Sequence, residues 1–268
     1  MDYAPASRTE KMEAFGRLLD IMDELRAGCP WDRKQTAETL RPLTIEETYE
    51  LADAIVRADP TGIEEELGDI LLHIVFYALI GQERGAYDIA SVCHREAEKL
   101  ITRHPHIYGE LEVADEAEVK RNWEQIKLRE RGKATVLGGV PRGLPSLVKA
   151  LRLQEKTAQF GFEWERADQV LAKVEEELGE LREAIAAGAS PDHVEEELGD
   201  LLFSLVNYAR FIDVDPDTAL ERTNQKFKRR FDFVEAAAPR PLSEMTLAEM
   251  DALWERAKAG EREGPDLT

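Results

Sequence analysis

The feature that most constrains the fold of this chain is an internal repeat. The hexapeptide EEELGD occurs at residues 64–69 and again, unchanged, at residues 195–200. An EExxE motif precedes each copy, a lysine and arginine pair follows it, and a Trp-x-x-x-Lys motif comes last. Four motifs that recur in one order, at an offset of about 130 residues, indicate a duplication rather than chance. The sequence therefore predicts two copies of one structural unit.

A segment rich in glycine and proline separates the two copies. Residues 131–145 have the sequence RGKATVLGGVPRGLP and follow a charged stretch with helical character. Such a composition is typical of a connector. We predict an N-terminal repeat at residues 1–131, a linker at 132–145 and a C-terminal repeat at 146–268.

Capping motifs indicate helices in both halves. SRTE at residues 7–10 and TGIE at residues 61–64 have the pattern of a capping box. Ser190 and Asp215 each precede a proline, an arrangement that suits the first turn of a helix. The sequence contains no run of alternating β-branched residues bounded by turns. The predicted fold class is all-α, as a tandem duplication of a helical bundle unit.

The charge of the chain narrows the classes of partner. It has 55 acidic and 35 basic residues, which give a formal net charge of −20. Such a surface repels phosphate backbones and attracts divalent cations where carboxylates converge. Two cysteines make no disulfide framework, the N-terminus lacks a signal-peptide pattern, and the apolar stretch at residues 70–80 is too short for a membrane span. We therefore predict a cytoplasmic protein that binds neither nucleic acid nor a membrane.

Clustered carboxylates are the strongest candidates for a functional site. In the C-terminal copy, Glu176, Glu177 and Glu180 lie close together on one helix, and Glu197 and Asp200 share a face of the next helix. Like charges at this spacing destabilise an isolated helix, so stability alone does not explain them. If the two helices pack antiparallel, these side chains offer the oxygen ligands that Mg²⁺ prefers. The structural alternative, a solvated acidic face, is weakened because the whole cluster is repeated.

The N-terminal copy repeats the carboxylates but changes the residues around them. Leu43 and Phe76 stand where the C-terminal copy has Lys173 and Asn207. His73, on the same stripe as Phe76, is interpreted as a buried structural histidine, and the alternative is a contact with metal or substrate. A second metal site is nevertheless predicted from the residues that repeat the ligand pattern, which are Glu47, Glu50, Glu66 and Asp69.

Basic and polar residues accompany the carboxylates of the C-terminal copy. Lys226 and Arg230, four residues apart, suit the oxygens of a polyphosphate, although a surface pair would have the same pattern. Lys173 shares a helix face with Glu176, and Asn207 lies where a core helix normally carries an apolar residue. Trp254 either stacks on a base or fills the core. Together these residues favour a phosphorylated substrate held beside a metal ion.

This combination of motifs resembles the MazG family of all-α nucleoside triphosphate pyrophosphohydrolases, in its full-length, two-repeat form. The resemblance covers nearly the whole chain, and it is specific because EExxE and ExxD occur together with the Lys/Arg helix and the duplication. It implies hydrolysis of nucleoside triphosphates to nucleoside monophosphates and pyrophosphate, by metal-activated water attack at the α–β phosphate linkage. It also implies Mg²⁺ as the cofactor, with Mn²⁺ as a substitute, and a homodimer.

The resemblance also implies roles for individual residues. Glu176 would position or deprotonate the attacking water. The metal ligands would be Glu177, Glu180, Glu197 and Asp200. The nucleotide would be held by Lys173, Lys226, Arg230, Trp254 and Lys258, to which we add Asn207 from its position. Where the family often has a basic residue four positions before the metal glutamate of the second helix, this sequence has His193. Because the N-terminal copy has Leu43 and Phe76 in place of Lys173 and Asn207, catalysis is predicted mainly in the C-terminal half.

Two alternatives remain at the level of the sequence. A dUTPase or a phosphoribosyl-ATP pyrophosphatase would share the fold and differ in substrate, but such enzymes usually carry a single copy of the unit. A non-catalytic metal-binding regulatory protein would use the acidic faces to bind partners. This second alternative leaves the repeated lysine and arginine pair unexplained.

Overall fold

The structure is a computed structural model that describes residues 4–113, 115–130 and 135–263. Within these residues, the regular structure consists of eleven α-helices and three short 3-10 helices, with no strand. The all-α prediction is therefore confirmed. The helices are α1 (Arg8–Gly28), α2 (Ala37–Val56), α3 (Pro60–Glu83), α4 (Ile89–Arg103), α5 (Pro105–Tyr108), α6 (Glu116–Glu130), α7 (Ser146–Ala158), α8 (Ala167–Ala186), α9 (Pro191–Phe211), α10 (Pro216–Ala237) and α11 (Leu247–Glu263).

The chain divides into two compact units, Met1–Trp123 and Glu124–Thr268. In the first unit, α2 and α3 form the most extensive helix pair, and in the second unit α8 and α9 do so. The second unit adds α7 against α9 and α10 against α11. The domain limits predicted at residues 131 and 146 stay predictions. Part of the predicted linker, at residues 131–134, lies outside the described residues, and its segment Val136–Gly139 packs on α7.

Short turns close each of the two main hairpins. Between α2 and α3, Ala58 adopts a positive φ of 52°, and between α8 and α9, Gly188 does so at 65°. The second helix of each hairpin then begins with a proline at its first turn. Because so few residues join the helices, each pair must run antiparallel, and the middle of one helix faces the middle of the other.

Most of the predicted helix starts are confirmed. In the SRTE box, the Ser7 amide donates to Glu10 at 2.7 Å, and the Glu10 amide donates to the Ser7 hydroxyl at 3.3 Å. Ser190 caps α9 by accepting from the amide of His193, and Asp215 caps α10 in the same way.

The capping box predicted at residues 61–64 is wrong. Helix α3 begins earlier, at Pro60, so Thr61 already lies in its first turn. The N-cap is Asp59, whose Oδ1 accepts a hydrogen bond from the Gly62 amide at 3.1 Å. An aspartate followed by proline is the stronger start signal here, because proline lacks an amide hydrogen and fits the first helical position.

The two units differ in how they fill the space beside their hairpins. In the first unit, buried apolar side chains from α1, α2 and α3 form a continuous core, namely Met22, Leu40, Val75, Phe76 and Ile80. The second unit buries smaller side chains, such as Val170, Val206 and Val234. Among the described residues, none of the helices combines the length and apolar character that a membrane crossing requires.

The corrected cap gives a direct test of the hairpin. We expect Asp59→Ala to lower the free energy of unfolding by about 1 kcal/mol, because it leaves an amide at the start of α3 without its side-chain acceptor. Urea denaturation followed by circular dichroism measures this loss. Thr61→Ala is the control and should change the free energy by less than about 0.5 kcal/mol. An equal loss in both variants would contradict the assignment of Asp59 as the cap.

Candidate functional site

Three of the predicted metal ligands of the second unit lie together. Glu177 and Glu180 on α8 and Glu197 on α9 each contribute a carboxylate oxygen, and these atoms all lie within 4.8 Å of one another. Glu177 is buried, Glu197 is half-buried and Glu180 is exposed. Asp200 lies outside this group of atoms, but it lines a cavity that also contacts Glu177. The hairpin therefore brings carboxylates from both helices together, and their role as metal ligands stays a prediction.

The charges of this cluster are only partly balanced. The pKa of the Glu180 carboxyl is raised, first by a hydrogen bond to Glu177 and then by burial and by nearby negative charge. Lys173 supplies the main counter-charge, since its Nζ lies 2.8 Å from Glu176 and 2.7 Å from Glu177. These contacts, first that with Glu176 and then that with Glu177, raise the pKa of Lys173. The predicted water-positioning residue, Glu176, is thus exposed and held by Lys173, and its role stays a prediction.

The first unit assembles a similar cluster without an ammonium group at the corresponding position. Oxygens of Glu47, Glu66 and Asp69 all lie within 4.8 Å of one another, and each of these residues is half-buried. Glu50 lies outside the group, yet its charge helps to raise the pKa of both glutamates, for which burial is the largest cause. The Oε2 atom of Glu66 is buried and has no hydrogen-bond partner among the described residues. Leu43 occupies the position of Lys173 here.

Both clusters could hold a divalent metal ion. Their donors are carboxylate oxygens, the ligands that Mg²⁺ and Ca²⁺ prefer. Raised pKa values and a buried oxygen without a partner among the described residues are the expected marks of converging negative charge. Each cluster gathers three of its four predicted ligands, and the outlying member differs, being Asp200 in one unit and Glu50 in the other.

A cavity of about 680 Å³ adjoins the cluster of the second unit. This volume falls within the range that is usual for small-molecule sites. Three aromatic side chains that line it remain substantially exposed, namely Phe162, Trp164 and Phe203. The cavity also brings together four residues that the sequence singled out, which are Lys173, Glu177, Asp200 and Asn207.

Several residues that line this cavity were not predicted from the sequence. Gln154 reaches it from α7, and Glu163 from the loop after α7. Arg210 donates from Nη2 to Glu163 at 2.7 Å and to Asn207 at 2.8 Å. Arg210 could have been found, because it continues on α9 the polar stripe that includes Asp200 and Asn207. Gln154 and Glu163 carry no comparable signal, since they belong to other segments.

The remaining predicted nucleotide-binding residues lie together on α10 and α11, and none of them lines this cavity. Arg230 forms an ion pair with Glu261 at 2.6 Å, and its Cζ atom lies 5.6 Å from the centre of the Trp254 ring. The hydrogen bond from Arg230 lowers the pKa of Glu261, with a smaller contribution from Lys226. Lys258 pairs with Glu255 at 2.7 Å. A nucleotide-binding role for Lys226, Arg230, Trp254 and Lys258 stays a prediction.

One histidine lies near each cluster. His73 in the first unit is buried, as predicted, and burial lowers its pKa although Asp69 acts in the opposite direction. Its Nδ1 has no hydrogen-bond partner among the described residues. His193 in the second unit places its Nδ1 3.5 Å from Glu197.

The fold and the site define a class: an all-α protein with a duplicated helical hairpin, in which each hairpin carries a carboxylate cluster suited to a divalent metal. Comparison with known sequences agrees. The profile of the MazG nucleotide pyrophosphohydrolase domain matches residues 35–108 and again residues 166–234. The two matched segments contain the two hairpins, and the chain belongs to the MazG family.

Individual relatives are similar over most of the chain. The nucleoside triphosphate pyrophosphohydrolase/pyrophosphatase MazG of Thermotoga maritima is 44% identical over 254 residues, which are 92% of this chain and 96% of the relative. The nucleoside triphosphate pyrophosphohydrolase of Escherichia coli K12 is 42% identical, over 93% of this chain and 99% of the relative. The uncharacterized protein YabN of Bacillus subtilis is 41% identical over 97% of this chain, which corresponds to 55% of YabN.

The cluster of the first unit predicts a stability effect that depends on metal. We expect Glu66→Gln to raise the melting temperature of the metal-free protein by a few degrees, because it removes one of three converging negative charges. Differential scanning calorimetry in the presence of a chelator measures this change. Glu64→Gln, at an exposed position of the same helix, is the matched control and should leave the melting temperature unchanged. A lower melting temperature for Glu66→Gln would contradict the interpretation.

Proposed function

We propose that this protein hydrolyses nucleoside triphosphates to nucleoside monophosphates and pyrophosphate in a Mg²⁺-dependent reaction, mainly in its C-terminal unit. The observation that carries the proposal is the cavity, which brings Lys173, Glu177, Asp200 and Asn207 together beside the carboxylate cluster. Membership of the MazG family, and the names of the relatives from Thermotoga maritima and Escherichia coli, support the same reaction.

The carboxylates of the second unit would hold the metal. We assign the ligand role to Glu177, Glu180, Glu197 and Asp200, since three of them already converge and the fourth lies on the same face of α9 as Glu197. Bound Mg²⁺ supplies positive charge that polarises the phosphates and acidifies water, and Mn²⁺ can substitute because it prefers similar oxygen ligands.

Other side chains would act on the water and the phosphates directly. Glu176 is the proposed general base, which accepts a proton from the water that attacks the α–β phosphate linkage. The attacked P–O bond of the linkage breaks, and the water supplies the oxygen and the protons that complete the two products, nucleoside monophosphate and pyrophosphate. Lys173 lies within hydrogen-bond reach of Glu176, so it can hold that carboxylate in place and contribute positive charge near the phosphates. Lys226, Arg230, Trp254 and Lys258 are proposed to hold the nucleotide from α10 and α11.

The contrast between the units supports catalysis in the second one. In the first unit, Phe76 occupies the position of Asn207 and is only 2% exposed, so it fills space that the second unit leaves open. Leu43 replaces Lys173 and packs against the same core. We propose that Glu47, Glu50, Glu66 and Asp69 form a second metal site without a comparable place for substrate.

The first experiment is a product assay with purified protein. Each nucleoside triphosphate, each deoxynucleoside triphosphate including dUTP, and phosphoribosyl-ATP is incubated separately with Mg²⁺, with Mn²⁺ or with a chelator, and products are separated by chromatography. Monophosphate and pyrophosphate, formed only with metal, are the expected products. Diphosphate and phosphate would contradict the proposed position of cleavage. Consumption of dUTP alone, or of phosphoribosyl-ATP alone, would support the narrower alternatives, and no consumption would support a regulatory metal-binding protein.

Equivalent substitutions in the two units test where catalysis occurs. We expect Glu180→Ala to lower kcat/KM by at least about a hundredfold, because a lost metal ligand removes several kcal/mol of transition-state stabilisation. Glu50→Ala changes the matching position of the first unit and should leave most of the activity. Steady-state kinetics of pyrophosphate release measures both. The reverse pattern would place the main site in the first unit.

We also propose that the protein is a homodimer in the cytoplasm. Each hairpin presents an exposed apolar stripe at matching positions, Leu67, Leu71 and Ile74 on α3 and Leu198, Leu202 and Leu205 on α9. Exposed apolar side chains at helical spacing support a helix-packing interface with a second chain. The net charge of −20 supports a protein that does not bind nucleic acid, and we propose no membrane partner.

The stripes give a prediction for oligomeric state. We expect the wild-type protein to sediment as a dimer, and the double variant Leu71→Glu/Leu202→Glu to sediment as a monomer, because a buried charge in each stripe opposes association. Sedimentation velocity measures the change, and the single variants show which stripe contributes. Leu247→Glu, at an exposed leucine at the start of α11, is the control and should stay dimeric. A dimeric double variant would contradict the proposed interface.

A further inference from the structure

The cavity of the second unit contains a buried amide whose orientation is fixed. Gln154 on α7 is 6% exposed, and its Nε2 donates a hydrogen bond to the backbone oxygen of Phe203 at 2.8 Å. Turning the amide over would place two acceptors against each other, so Nε2 must face that carbonyl. The Oε1 atom is buried and has no hydrogen-bond partner among the described residues. Such an unpaired acceptor is unfavourable unless a ligand or a water molecule pairs with it.

A second amide in the cavity is oriented in the opposite sense. The Oδ1 atom of Asn207 accepts from Arg210, at 2.8 Å from Nη2 and 3.3 Å from Nε. Arg210 is itself held by Glu163 at 2.6 Å. Because a guanidinium can only donate, Asn207 must turn its oxygen toward Arg210, which leaves its Nδ2 to donate elsewhere. The cavity is therefore lined by one side chain with a fixed acceptor and one with a fixed donor.

The rest of the lining suits a flat heterocycle. The exposed rings of Phe162, Trp164 and Phe203 offer faces on which a base can stack, and stacking on aromatic side chains tolerates every base. Hydrogen bonds to a base edge then supply the selection, since every base carries N–H donors and acceptors in a characteristic arrangement. The same cavity is also lined by Glu177 and Asp200, so one molecule can reach both the amides and the metal ligands.

We propose that Gln154 is a specificity-determining residue that recognises the base of the nucleotide. Its Oε1 accepts a hydrogen bond from an N–H of the base, and Asn207 donates from Nδ2 to an acceptor on the same base. This assignment rests on the proposed function and deepens it, because it names a side chain whose hydrogen bond favours some bases over others. A base whose N–H groups are blocked leaves the buried oxygen unpaired and is therefore a poor substrate.

The test compares nucleoside triphosphates with a triphosphate substrate that carries no base. Kinetic constants are measured for the four nucleoside triphosphates and for ribose 5-triphosphate, with wild-type protein and with Gln154→Leu. For the best nucleotide, we expect kcat/KM to fall about tenfold or more through a higher KM, and the differences between bases to narrow. Hydrolysis of ribose 5-triphosphate should not change. Equal losses on all five substrates, or an unchanged ranking, would overturn the assignment.

A matched control variant, and a second measurement with wild-type protein, distinguish lost base recognition from a general effect on folding. Gln159 also has a buried Oε1 without a partner in the part of the chain that the structure describes, but it does not line the cavity, so Gln159→Leu should leave the ranking unchanged. If Gln159→Leu altered the ranking as Gln154→Leu does, base recognition by Gln154 would be refuted.

The second measurement uses wild-type protein and modified substrates. N-methylation that removes the N–H groups of the best base should lower kcat/KM about tenfold. No loss would also refute base recognition by Gln154. If wild-type protein hydrolyses no nucleotide, the proposed function fails; if it hydrolyses them and only these comparisons fail, the function stands.

Discussion

The convergence of carboxylates between two antiparallel helices is the constraint on which the rest of this structure depends. Like charges that approach within 4.8 Å oppose folding unless something compensates them. The hairpin supplies that compensation through the packing of its two long helices, which holds the glutamates of one helix against those of the next. Short turns fix the register, since a hairpin with a long, loose connection would let the carboxylates separate. The spacing of the repeated motifs therefore reflects the geometry of the hairpin as well as the needs of a metal site.

The two units show what a few substitutions on one helix stripe can do to a duplicated hairpin. In the first unit, Phe76 and its neighbours close the space beside the cluster and contribute a continuous apolar core. In the second unit, Asn207 and Arg210 occupy that stripe, and a cavity with polar and aromatic walls remains. A filled space favours stability, and an open one favours a ligand. The duplication thus allows one unit to fill this space with its core while the other keeps an open cavity.

Local features of the sequence predicted most of the fold and part of the site. Helix starts such as Ser7 and Ser190 were predictable because caps depend on neighbouring residues, and the carboxylate clusters were predictable because their spacing is helical. Asp59 was missed because Thr61 and Glu64 have the spacing of a capping box two residues later. The contact of Gln154 with Phe203, and that of Arg230 with Glu261, join different helices. Such contacts depend on how helices pack, which periodicity within one helix does not determine.

Under the proposed function, the ion pairs of Lys173 connect the electrostatics of the cluster to those of the substrate. Its ammonium group contacts the carboxylate of Glu177, one of the three groups whose oxygens converge, so Lys173 and a bound divalent ion would share that carboxylate. A cation held there would neutralise part of the negative charge of the cluster. Lys173 could then exchange its contact with Glu177 for one with the phosphates, while it keeps its contact with Glu176. In a protein with a net charge of −20, this exchange would be a physical reason for an anionic substrate to bind more readily once the metal is bound.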